Sequence, residues 1–263
     1  MANLNLPWSI SSDIGIGVAI AEGDFDGVSD IYLFGTRQMP LADTEYCVAP
    51  IGPSDGDIQF PTTPQEMFIV STDASDTANI VLRTFDENVN EVTAAYQLNG
   101  TTPVSIGTWL GVQPVGFPVE ESGVLGEVYV STSNLATPPA GTVMAKMLPE
   151  NQQFSGCYYT IPRGFVAYFF QATPTDSRDA GGANSQFGTL HLYTRNRGLE
   201  SGKNAGPWRR RGTLTVGTNS SSTQLNFMPP IQFDQGTDIL LKAEGNNINH
   251  RISAYFGLVF RRK

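Results

Sequence analysis

The sequence predicts an all-β protein, a β-sandwich or jelly-roll-like domain with a smaller acidic N-terminal β region. Three observations carry that expectation. Apolar residues alternate with period two across 80–98 and 252–260, the spacing that sends successive side chains to opposite faces of a sheet. Turn residues recur about every ten positions through the second half, as in sandwiches of many short strands. No stretch keeps apolar residues at i, i+3 and i+4 long enough to build an amphipathic helix.

Taken in order, Ile14, Ile16, Val18 and Ile20 alternate with glycines and read as a strand, and Ile31-Tyr32-Leu33-Phe34 resumes it after Asp24-Phe25-Asp26-Gly27. That last tetrapeptide opens like a calcium loop, but Leu33 stands where the bidentate Glu belongs, so it reads as a solvated turn. Residues 39–64 are broken by Pro40, Pro50, Pro53, Pro61 and Pro64 and read as loop. Met67 to Val70 is a short buried strand. Ile80, Leu82 and Thr84, then Val92, Ala94, Tyr96 and Leu98, mark a β-hairpin over 79–98, joined by the polar turn Asp86 to Asn90. Asn99-Gly100 tolerates φ > 0 and Pro103 withholds a ladder donor, so the hairpin stops there.

Residues 1–103 carry 15 acids against 2 arginines, a balance of −13, while 104–263 come to +4; together these give the net charge of −9. This change of texture places a boundary at 103/104, with residues 1–103 as the acidic β region and 104–263 as the sandwich domain. In the second part strands are expected near 109–115, 125–130, 142–148, 156–160, 165–172, 188–194, 208–216, 224–227, 239–243 and 252–260. The last, Ile252 to Phe260, alternates best and is expected inside its sheet, not at an edge.

Composition bounds the function. The acidic N-terminal half argues against a nucleic-acid partner, since phosphate attraction needs the opposite sign. No apolar run approaches the length of a membrane span, and residues 1–7 lack the pattern of a secretory signal, so synthesis in a reducing cytoplasm and no membrane partner are expected. Cys47 and Cys157 read as buried thiols. His191 sits on a strand and His250 in a turn, neither at metal-ligand spacing and neither in a nucleophile context, so no metal, no cofactor and no catalytic residue are expected. The Gly-rich run 179–186 lacks the lysine of a phosphate loop, and carboxylate pairs such as Glu120-Glu121 or Asp234 and Asp238 mean nothing without geometry.

Two patches invite a functional reading. Trp208, Arg209, Arg210 and Arg211, near Lys203, Arg195 and Arg197, form a candidate subunit contact for an acidic neighbour, because Trp and Arg are favoured interface anchors. Tyr158, Tyr159, Phe165, Tyr168, Phe169 and Phe170 are mostly core, though exposed rings among them would suit stacking on a sugar.

Several pieces also carry a resemblance. The segment from Asp76 through Leu82 to the turn Asp86-Glu87-Asn88-Val89-Asn90-Glu91, then Leu98-Asn99-Gly100-Thr101-Thr102-Pro103-Val104, Tyr159-Thr160-Ile161-Pro162-Arg163-Gly164 and Thr237-Asp238-Ile239, resembles a family of tailed-phage virion proteins found in marine and environmental phages. The order and spacing fit over roughly residues 28–260, and the chain departs at Thr84-Phe85, where members often have Gly-Leu. The resemblance implies a virion structural protein without fixing its place in the particle. The expected role is head decoration or cement, as a homotrimer bound to the major capsid or other virion proteins. The alternative is a tail or collar component that touches the host surface.

Overall fold

The computed structural model describes residues 27–52, 55–119, 122–178, 187–198, 205–217, 225–246 and 250–263. The expected strand 10–20, the Asp24–Asp26 turn, Glu120-Glu121, the run 179–186 and Lys203 lie outside them. Among the described residues there is no α-helix, and the chain is all-β.

Alternating apolar residues build four antiparallel sheets that pair into two sandwiches. The outer sandwich is made by β1 (Val28–Gln38), β2 (Tyr46–Cys47), β11 (Tyr158–Thr160), β12 (Phe165–Arg178), β13 (Phe187–Asn196), β14 (Arg209–Gly217), β15 (Leu225–Phe233), β16 (Thr237–Gly245) and β17 (His250–Arg262). One of its sheets runs β1-β17-β12-β15; the other runs β11-β16-β13-β14, with β2 also on β16. Between them lies a core that includes Leu33, Phe169, Phe256, Leu190, Leu192 and Leu241. The inner sandwich is made by β3 (Gln65–Ser71), β4 (Asn79–Phe85), β5 (Glu91–Gln97), β6 (Val104–Trp109), β7 (Gly111–Pro118), β8 (Val128–Ser131), β9 (Val143–Leu148) and β10 (Gln153–Phe154). Its sheets, β10-β9-β8-β3-β6 and β5-β4-β7, enclose Met67, Ile69, Ile80, Leu82, Val130 and Met147.

This pairing corrects the boundary at 103/104. β1 pairs with β17 along its whole length, from Val28 opposite Arg261 to Gln38 opposite Arg251, so the N-terminal strand belongs to the sandwich expected of 104–263 alone. Conversely, β6 pairs with β3 and β7 with β4, so residues after Pro103 complete the inner sandwich. The charge change at 103 is a property of solvated side chains, whereas pairing follows the apolar faces. β17 lies between β1 and β12, inside its sheet as its alternation suggested.

Local chemistry explains the details. The expected hairpin runs from Ile80 opposite Tyr96 to Phe85 opposite Glu91, and Asp86 ties its turn by accepting the Asn88 and Asn90 amides at 2.8 and 2.9 Å. Gly100 has φ +54°, and a Cβ there would collide with the Ala74 carbonyl, so glycine is required on two counts. Pro229 and Pro230 lie within β15, past the end of the strand expected over 224–227. They are tolerated because β15 is an edge strand and they fall where its register against β12 shifts, between Ile231 and Asn226.

Candidate functional site

Trp208 precedes β14, which stands at the edge of its sheet among the described strands and opens on Arg209, Arg210 and Arg211. Alternation splits the arginines between two faces. On one face the Trp208 ring lies 4.6 Å from the Arg195 guanidinium and edge-on to Phe60, while Arg210 Nε donates to the Tyr193 hydroxyl at 3.0 Å and pairs with Glu45. On the other, Arg211 Nε donates to Thr194 Oγ1 at 2.9 Å. Arg209 and Arg211 are exposed, and among the described residues neither is ion-paired; with Asn196, Gln232 and Asp234 they line an open cleft of about 360 Å³. Basic side chains on an edge strand discourage pairing by another β edge and leave it attractive to an acidic surface.

The neighbouring arginines were not recognisable as a unit in the sequence. Arg195 lies near the end of β13 and Arg197 just beyond it, and both reach Asp238 on β16, opposite Arg195 in register. Arg195 donates from Nε and Nη2 to Asp238 Oδ2 at 3.0 and 2.7 Å, and Arg197 Nε to Oδ1 at 2.5 Å. Thr160 Oγ1 donates to the same Oδ1 at 2.7 Å, so two of the motif fragments, Tyr159-Thr160-Ile161 and Thr237-Asp238-Ile239, meet at this carboxylate. Asp238 is 1 % exposed. The spare guanidinium donors reach the inner sandwich and its approach: Arg197 Nη1 donates to the Pro61 and Leu110 carbonyls at 3.0 and 3.3 Å, and Arg195 Nη2 to Phe60 at 3.4 Å. One buried carboxylate therefore anchors two cations that fasten the two sandwiches together. Two arginines two apart on an apolar strand were the available signal, since such a face must bring an acid with it.

His191, not at metal-ligand spacing in the sequence, lies among other ligating groups in the fold. His191 is 2 % exposed; its Nδ1 lies 3.0 Å from Thr213 Oγ1, and its Nε2 lies 3.2 Å from Glu244 Oε1 and 3.6 Å from Glu45 Oε1. Glu45, His191 and Glu244 offer one ligand atom each within 4.8 Å of one another, a set able to hold a cation, although Glu45 already receives Arg210 and the Tyr193 hydroxyl. Beside them Glu45, Tyr193, Trp208, Phe60, Asp57 and Lys242 line a second depression of about 470 Å³. The side chain of His250 is outside the described residues. Asp234 and Asp238 do not form a carboxylate pair in function: the first pairs with Lys263 at 3.1 Å near the surface and the second is committed to the arginines.

Of the aromatic run, Tyr158, Tyr159 and Phe169 are buried as expected. Tyr168 and Phe170 are half-buried; Phe170 meets the exposed Tyr32 edge-on at 6.0 Å, and Arg261 lies over Tyr168 at 5.9 Å. No helix among the described residues is long and apolar enough to cross a membrane.

No protein-family model matches the chain, and no curated protein does. Among solved structures, one similar chain comes from the "Structure of infectious bursal disease virus Gx strain", with 10 % identity over 89 % of this chain and 77 % of that one and a TM-score of 0.21. A superposition that loose bears on neither fold nor function.

Proposed function

We propose that this chain is a non-enzymatic structural protein of a tailed-phage virion, made in the host cytoplasm, that decorates or cements the head as a homotrimer seated on the major capsid protein. The observation that carries the reading is the basic β14 edge. Arg209 and Arg211 stand exposed and without a described acidic partner on a chain whose first 103 residues hold an acidic excess of 13, so unlike surfaces of neighbouring copies attract. The residues that resemble the virion family fit a scaffold, because Thr160, Asp238 and Gly100 serve buried contacts and a turn. The test replaces Arg209, Arg210 and Arg211 by Ser: particle occupancy is expected to fall more than folding stability, and equal occupancy for mutant and wild type refutes the contact.

A second reading is favoured by the outer face of the β1-β17-β12-β15 sheet, where Tyr32, edge-on to Phe170, and Phe34 are half exposed and offer rings for stacking on a sugar. That face would suit a tail or collar component that binds host glycans. Gel densitometry of purified particles separates the two, with hundreds of copies expected for decoration and a dozen or fewer for a tail or collar.

A further inference from the structure

Lys146 on β9 has its side chain 5 % exposed, a rare position for a lysine. Its Nζ lies 3.1 Å from Asp55 Oδ2 and 2.9 Å from Glu127 Oε2, and 4.7 Å from the ring centre of Tyr129, its partner across β8. One ammonium needs one carboxylate, and here there are two. Both are held in place: the Tyr129 hydroxyl donates to Glu127 Oε2 at 2.6 Å, and the Gly52 amide donates to Asp55 Oδ2 at 2.9 Å. Moving a proton from the ammonium to a carboxylate gives an amine beside a carboxylic acid, the reactants of an amide.

We propose that Lys146 and Asp55 condense to an intramolecular isopeptide bond, with Glu127 as the catalytic proton carrier. The neutral Lys146 Nζ attacks Cγ of the protonated Asp55 carboxyl, and the Gly52 amide stabilises the negative charge that develops on Oδ2. Glu127 takes a proton from Nζ and delivers it to the other Asp55 oxygen, the Cγ–O bond breaks, and water leaves. The balance is one carboxylic acid and one amine converted to one amide and one water, with no oxidant and no energy source. The partners are within reach before reaction, the situation in which positioning lowers a barrier most. Glu127, 37 % exposed, gives the released water a way out. The bond would join residues 91 apart in sequence and staple the segment that links the two sandwiches onto the β8–β9 face. It rests on this site alone and not on a role in a particle.

The test is the intact mass of the full chain under denaturing conditions, followed by tandem mass spectrometry of a digest. Wild type is expected to be lighter than its sequence by one water, with the Lys146 peptide joined to the Asp55 peptide. Lys146→Arg and Asp55→Ala are expected at full mass, and Glu127→Gln is expected to fold, by circular dichroism, and to condense at least about 100-fold more slowly. A wild-type chain that keeps its full mass after prolonged incubation overturns the proposal, whatever the variants do. So does a water loss that persists in Lys146→Arg, and condensation of Glu127→Gln at the wild-type rate removes Glu127 from the mechanism.

Discussion

The side-chain amide of Gln113 and the backbone of Thr160 exchange two hydrogen bonds, Nε2 donating to the carbonyl at 2.8 Å and the Thr160 amide donating to Oε1 at 3.2 Å. Gln113 lies on β7 of the inner sandwich and Thr160 on β11 of the outer, so one side chain imitates a strand ladder between sheets that are not otherwise paired. Gln113→Leu leaves the buried amide and carbonyl of Thr160 without these partners. It is expected to cost about 2–4 kcal/mol, counting about 1–3 for each stranded group with some relaxation. Urea unfolding measures it, and a loss below half a unit on that scale would show that the two sandwiches do not depend on this bridge.

Asp238→Asn removes the charge that two buried guanidinium groups share and is expected to destabilise by about 3–5 kcal/mol. Replacing all three members with apolar residues of similar size is expected to cost less than the single change, because no ion is then left uncompensated. Chemical denaturation of the two variants compares them directly, and equal losses would contradict the buried-charge account.

Gly100 and Gly141 both have positive φ, +54° and +80°, but a Cβ at Gly141 meets open space while one at Gly100 meets the Ala74 carbonyl. Gly141→Ala is expected to cost about 1 kcal/mol for the left-handed backbone alone, and Gly100→Ala at least about 1 kcal/mol more. Thermal melts in parallel decide it; the same shift for both would mean that Ala74 moves away freely.

Asp86 couples the hairpin turn to pH. Partial burial pushes its carboxyl up, but hydrogen bonds from the Asn90 side chain and amide and the Asn88 amide, with the nearby charge of Arg163, outweigh that and hold it below its usual value. A depressed folded value means stability that is fully present above the unfolded value of about 3.9 and lost as pH falls through the folded one. The stability gap between wild type and Asp86→Ala is therefore expected to be full near neutrality and to shrink below about pH 3.9. A gap that stays constant into strong acid would rule out the linkage.

Cys47 and Cys157 are fully buried free thiols, and Cys157 donates to the Ala254 carbonyl at 3.0 Å. Burial pushes both well above the ordinary thiol value, for Cys47 with the charge of Asp57 adding to the effect. Neither is expected to react with a disulfide reagent at mildly alkaline pH unless the chain opens, so labelling should be at least about 100-fold slower than in denaturant. Rapid native labelling of either would show that the chain around it opens.

The parts legible in the sequence were those set by neighbours along the chain. The hairpin 79–98 and β17 alternate over a whole strand with clear turn residues at the hairpin; the hairpin was placed as a pair and β17 inside its sheet. Trp208 to Arg211 were legible as the start of a strand, but not as an edge, since edges depend on which strands fail to arrive. The boundary at 103/104 was misplaced because a change of charge is visible in sequence while the return of β17 to β1 is not. Asp238 and Arg195 are 43 residues apart and His191 and Glu244 are 53 apart, so nothing local links them until β13 and β16 pair.

The reach from β1 to β17 sets the order in which this chain can be built. With Val28 opposite Arg261, β1 has no partner among the described strands until β17 has left the ribosome. At about 5–20 residues per second that delay is on the order of ten to forty seconds. Residues 65–154 can collapse on one another long before then, since their strands pair among themselves. Through that interval β1 stays unpaired with the Leu33 side chain uncovered, and slow translation of the C-terminal third would lengthen its exposure.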